Sequence, residues 1–118
     1  MPVLIIFEGT DFSKSNRTPL PGQALAKDGV VIVTVNYRVN VFGFLCLGIP
    51  EARGNLGLLD QYFSIVWVRE NIHAFGGDPE KITLFGNLAG AVSVSLHMTS
   101  PRTAGKILKK TNLNDNVK

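Results

Sequence analysis

The sequence predicts an α/β protein, a three-layer αβα arrangement with a mainly parallel sheet of about three strands. Three observations lead there: an apolar, charge-poor composition, three β-rich runs with no polar face, and a helical stripe between the second run and the third. Of 118 residues, 45% are hydrophobic and 18% charged, against roughly 25% charged in an average soluble domain. That length supports one domain at most, at the usual ~100–200 residues per domain. The composition excludes an intrinsically disordered chain. Cys46 is the sole cysteine, so a disulfide scaffold is excluded, and its thiol reads as core packing. No apolar run approaches the ~18–20 residues that span a bilayer, so no membrane segment is expected.

The first run, Val3-Leu4-Ile5-Ile6-Phe7, follows Met1-Pro2 directly. The second is Val30-Val31-Ile32-Val33-Thr34-Val35 and the third Ile82-Thr83-Leu84-Phe85. None alternates apolar with polar, which is the pattern of strands covered by helices on both faces. Residues 13–22 are polar, with two prolines and a glycine, and predict a loop. A short helix is predicted within residues 20–29, ending at Gly29. From Leu58 to Phe75 the residues Leu58, Tyr62, Ile65, Val68 (or Arg69), Ile72 and Phe75 recur at spacings of three and four. That is one helical stripe. Gly76-Gly77 stops it and Asp78-Pro79 opens a turn. Strand, helix and strand over this distance make a βαβ unit with a right-handed crossover. Residues 86–100 predict a further helix that closes at Ser100-Pro101.

The basic excess lies at one end. Residues 102–118 hold Arg102, Lys106, Lys109, Lys110 and Lys118 against Asp115, so a whole-chain charge of +3 leaves residues 1–101 slightly acidic. A nucleic-acid reader needs its basic stripe on the folded part, and no nucleic-acid partner is expected. The organisation reads as a folded region over 1–101 and a polar basic tail over 102–118, disordered or irregular. No signal peptide precedes the first strand pattern. Either the protein stays in the cytoplasm or its N-terminus lies further upstream, and the compartment is left open. No His, Cys, Asp and Glu cluster has metal-ligand spacing, and the glycines form no dinucleotide or phosphate loop. Neither a metal nor a cofactor is expected.

The third run leads into Gly86-Asn87-Leu88-Ala89-Gly90. A G-x-x-x-G frame between a buried strand and a helix is where an α/β-hydrolase holds its nucleophile elbow. The central residue sits on a sharp turn, and glycines at the flanks remove Cβ atoms that would strike the adjoining strand and helix. The same pentapeptide also serves ordinary strand-to-helix turns.

Its surroundings carry more weight. Val33-Thr34-Val35-Asn36-Tyr37-Arg38 and Phe42-Gly43-Phe44-Leu45 precede Gly54-Asn55-Leu56-Gly57-Leu58-Leu59-Asp60-Gln61. Trp67-Val68-Arg69-Glu70-Asn71-Ile72, Phe75-Gly76-Gly77-Asp78-Pro79 and Ile82-Thr83-Leu84-Phe85-Gly86 follow, then Ser93-Val94-Ser95 and Ser100-Pro101. In order and spacing, residues 2–101 resemble the cholinesterase and type-B carboxylesterase family, with an insect-esterase-like cast. The resemblance implies part of an α/β-hydrolase fold, with the strand order second-first-third and both outer edges unpaired. It also implies the family reaction, carboxylic ester hydrolysis through a seryl acyl-enzyme on a Ser-Glu/Asp-His triad. Members are several times longer than this chain. Some relatives have lost the triad and act in adhesion.

The departures bear on that reaction. The family elbow is typically Gly-Glu-Ser-Ala-Gly, and Leu88 stands at the Ser position. An alkyl side chain has no lone pair for attack on a carbonyl and none that a base could activate. Asn87 replaces the usual Glu. Ser93 and Ser95 fall inside the next helix, out of reach of the elbow. The family's His-Gly-Gly-Gly-Phe stretch reads Glu8-Gly9-Thr10-Asp11-Phe12. Its oxyanion-hole N–H groups map to Thr10, Asp11 and Ala89, and a carboxylate at Asp11 opposes the stabilisation such a hole supplies. Glu8 and Asp11 otherwise read as solvated loop carboxylates. The family's acid and His lie beyond residue 118, so His73 and His97 read as helix-surface or packing residues.

A catalytically silent piece of a type-B carboxylesterase domain is therefore expected, one that binds. Two alternatives stand beside it: an active ester hydrolase whose sequence is incomplete or miscopied here, and a cholinesterase-like adhesion module. The resemblance leaves room for a small apolar ester-like ligand and for a protein partner. The tail from Arg102 departs from the family and points to a truncated gene model, an alternative exon or a partial transcript.

Overall fold

A computed structural model describes residues 1–14 and 22–103. The elements in chain order are β1 (Val3–Phe7), α1 (Gly22–Lys27), β2 (Val31–Val35), α2 (Asn40–Phe44), β3 (Cys46–Ile49), β4 (Ala52–Arg53), α3 (Leu56–Asn71), β5 (Ile82–Gly86) and α4 (Ala89–Thr99). A 3-10 turn, Ile72–Phe75, extends α3. Most of the loop expected over 13–22 and the tail expected over 102–118 lie outside the described residues.

The three apolar runs form one parallel sheet in the order β2-β1-β5, which is the expected second-first-third. Register is in step across it: Val3 faces Val31 and Ile82, and Phe7 faces Val35 and Gly86. Side chains alternate between faces, so Val3, Ile5 and Phe7 share one face with Val31, Val33, Val35, Ile82 and Leu84. Ile65, Val68 and Ile72 of the α3 segment pack on that face, with Val94 of α4 and Tyr37. This is the core. On the opposite face Gly22 at the start of α1 lies against Ile32. Helices on both sides of the sheet make the three-layer α/β arrangement.

The two faces are not equally covered. β1 is buried along nearly its whole length, whereas β5 alternates, with Thr83 and Phe85 exposed. The expectation of burial on both faces thus holds for the central strand alone. α1 is six residues long and reaches β2; no described helix covers β5 on that side.

The helices begin and end where local chemistry changes. Gly76, at φ 78°, ends the 3-10 turn, and the Gly77 N–H caps the Ile72 carbonyl at 3.0 Å. A left-handed residue costs glycine nothing. The predicted stripe is largely turned inward, except for Phe75, which is 62% exposed and rests on Trp67. The switch to 3-10 geometry at Ile72 breaks the 3.6-residue period, so Phe75 no longer projects along the stripe. The last helix is shorter than the predicted 86–100 because β5 continues through Gly86 and the turn consumes Asn87 and Leu88.

The stretch from Arg38 to Asn55 folds as α2 and an antiparallel β3–β4 hairpin, neither of which the sequence pattern signalled. Here the expectation for Cys46 is overturned: its side chain is exposed. All four residues of β3 are exposed, in a hairpin that packs no second face against the core. Its apolar neighbours, Leu45, Leu47 and Ile49, are exposed with it.

Candidate functional site

β5 aims the G-x-x-x-G frame at the end of the sheet, and the chain reverses over two residues before α4 begins at Ala89. Leu88 takes φ 50° and ψ −117°. That conformation is rare for a γ-branched residue and costs about 1–3 kcal/mol. The flanking glycines explain how the turn is held. A Cβ on Gly86 would strike the Gly90 carbonyl, and one on Gly90 would strike the Phe7 carbonyl. α4 therefore lies directly on the end of β1, and the turn has no room to relax. Gly90 N–H closes it on the Asn87 carbonyl at 2.8 Å.

Leu88 stands at the tip, 58% exposed. No described element closes over it. Ala89 and Gly90 beneath it are buried.

The Glu8–Phe12 loop runs alongside. Its Gly9 carbonyl accepts the Ala89 N–H at 3.1 Å. Of the residues singled out as oxyanion-hole positions, the loop and Ala89 are brought together, but the Ala89 donor is engaged by protein. Thr10 and Asp11 are exposed. The Asp11 carboxylate accepts the backbone N–H groups of Ser13, at 2.9 Å, and Lys14, at 3.1 Å. These bonds, with that from the Ser13 hydroxyl, hold its carboxyl below the usual carboxylate range. Asp11 thus keeps its negative charge and pins its own turn. Beneath the loop the Tyr37 hydroxyl is buried without a hydrogen-bond partner among the described residues, and burial raises its pKa. A Cβ on Gly9 would come within 2.7 Å of that oxygen.

Ser93 and Ser95 both turn into helical bonds, to the carbonyls of Ala89 and Ala91. Ser93 joins a buried polar chain in which Gln61 Nε2 donates to Ser93 Oγ at 3.0 Å and Gln61 Oε1 meets His97 Nε2 at 2.9 Å. Burial lowers the His97 pKa, so the ring is neutral near pH 7 and donates to Gln61. The Thr103 hydroxyl donates to the His97 carbonyl and is itself fully buried. His97 is a packing residue, and His73 is exposed on the 3-10 turn. Sequence reasoning missed Gln61, since a polar residue inside a helical stripe carries no signal of its buried partners.

The motifs quoted for the resemblance meet in space. Arg38 makes a two-pronged pair with Asp60, each bond 2.8 Å, and donates its backbone N–H to the same carboxylate. This holds Asp60 below the usual carboxylate range. The Arg38 carbonyl lies where Cβ atoms on Gly43 and Gly57 would be, so α2 and α3 close on it.

The family model described as the carboxylesterase family matches residues 1–111. The chain belongs to the carboxylesterase family. It is 45% identical over 106 residues to Carboxylesterase 5A of Ovis aries, covering 89% of this chain and 28% of that protein. It is 47% identical over 107 residues to the acetylcholinesterase of Electrophorus electricus, 88% of this chain and 17% of that one. A neuroligin-like protein, glit-1 of Caenorhabditis elegans, is 45% identical over 100 residues, 85% of this chain and 14% of that protein. The chain thus spans under a third of the length of these carboxylesterase-family relatives. No group of three His, Cys, Asp or Glu side chains that could hold a metal occurs among the described residues. No described helix is long and apolar enough to cross a membrane.

Proposed function

We propose that this chain is a carboxylesterase-family domain that does not hydrolyse esters and works by binding. The reading rests on Leu88. Acyl transfer through an enzyme ester needs a nucleophilic oxygen at the elbow tip, and this residue supplies none. The Ala89 N–H, engaged by the Gly9 carbonyl, supports the same reading, since a donor already spent on protein stabilises no oxyanion.

The test is turnover of nitrophenyl acetate together with labelling by an organophosphate. The expected result is hydrolysis no faster than buffer and no covalent adduct by intact mass. Leu88→Ser is expected to restore nothing in this chain, because neither described histidine serves the elbow: His97 is bonded to Gln61 and His73 is on the 3-10 turn after α3. Saturable hydrolysis abolished by the organophosphate would overturn the proposal and return the active-hydrolase reading.

A second reading, an interaction module with a protein partner, is favoured by the neuroligin-like relative and by exposed aromatic side chains such as Phe42, Phe63 and Trp67. Chemical cross-linking of the chain in an extract of its source tissue tests it; no specific adduct would remove it.

A further inference from the structure

The pocket at the far end of α4 from the elbow has no assigned role. It lies beside His97, nine residues along the chain from Leu88 and so roughly 13 Å up the helix. It encloses about 350 Å³, within the ~300–1,000 Å³ typical of small-molecule sites. Its lining divides into two chemistries. Leu58, Leu59, Tyr62 and Leu96 give an apolar wall, and the exposed Arg53 and Arg102 lie at its border.

The charge of this pocket is one-sided. No Asp or Glu among the described residues lines it. The ion pairs among the described residues are Arg38–Asp60, Arg69–Glu80 and Lys81–Asp78. Arg53 and Arg102 take part in none of them. His97, which also lines the pocket, is neutral through burial and offers no counter-charge of either sign. Two guanidinium forks with no ion-pair partner among the described residues, beside an apolar wall, match an anionic head group with a short apolar body, since guanidinium binds carboxylate through paired N–H donors.

We propose that this pocket binds a small amphiphilic carboxylate, its head between Arg53 and Arg102 and its body against Leu58, Leu59 and Leu96. The site is independent of the elbow and stands whether or not Leu88 silences hydrolysis.

Calorimetric titration of the full chain, carried as a fusion to a soluble carrier protein, tests it with octanoate, octanol and acetate. Carrier alone is the blank. Octanoate is expected to bind, with octanol and acetate each weaker by about tenfold or more, since each lacks one of the two contacts. Arg53→Gln and Arg102→Gln are each expected to weaken octanoate about five- to tenfold, as befits a charge-assisted bond at a solvent-facing site. Both side chains are exposed, so folding is preserved, and circular dichroism checks it. Equal affinity for octanol would mean an apolar contact without a carboxylate site. Equal affinity for acetate would mean an unspecific surface anion. Either result, absence of octanoate binding, or indifference to both Arg substitutions overturns the proposal.

Discussion

Leu88 offers a direct measure of how firmly the elbow is held. Its φ of 50° costs a non-glycine residue about 1–3 kcal/mol, and Ala at that position keeps the cost while Gly sheds it. At an ordinary position Gly is less stable than Ala by about 0.4–1 kcal/mol, through the entropy of the unfolded chain. Leu88 is 58% exposed, so both replacements lose the same modest burial and the comparison cancels it. Leu88→Gly is therefore expected to be more stable than Leu88→Ala by about 1–2 kcal/mol. With a urea dependence of ~1–1.5 kcal/mol/M for a chain of this size, the midpoints differ by about 1 M. Pulse proteolysis in urea reads this at low concentration, where association of exposed apolar surface is suppressed. Leu88→Ala matching or exceeding Leu88→Gly would refute the reasoning, for it would mean the turn relaxes and the close approach of Gly90 to the Phe7 carbonyl does not enforce it.

Other outcomes follow from the same packing. Gly57→Ala is expected to lose about 2 kcal/mol despite a helix-propensity gain of ~1 kcal/mol, because its Cβ would meet the Arg38 carbonyl and the Phe44 ring; denaturant melts of the two proteins check it. His97 has its pKa lowered by burial, so the unfolded chain binds the extra proton. Stability is then complete above the usual His value of ~6.5 and falls as pH drops below it, a slope that His97→Gln should remove in melts between pH 7 and 5. Asp60 is held low by Arg38, so its contribution persists above the ordinary carboxylate range and is lost as pH falls through its depressed value; Asp60→Asn should lower the melting temperature at pH 7 and flatten the acid limb. The exposed Phe85 and Thr83 on the uncovered side of β5 should give strong binding of a hydrophobic dye by the isolated chain, and Phe85→Thr should reduce it.

The sequence alone determined the three strands, the order of their chemistry and the elbow. Runs such as Val3–Phe7 are apolar on both faces, and only covered parallel strands ask for that. Gly86 and Gly90 flag a turn where Cβ atoms have no room. That Leu88 carries no nucleophilic oxygen is legible in the sequence, because reactivity belongs to one side chain and not to its surroundings.

The tertiary structure decided what depends on neighbours far along the chain. Cys46 and Leu47 are as apolar as any core residue, yet they are exposed in a hairpin, since composition cannot tell which segment finds a second face. Gln61 is polar within a helical stripe, and only the approach of α4 supplies Ser93 and His97 as its partners. The Ala89 N–H is a free donor by motif and a spent one by geometry, because the Gly9 carbonyl, eighty residues earlier, turns toward it. Hydrogen bonds and burial are pairwise properties, and a linear pattern specifies one member of each pair.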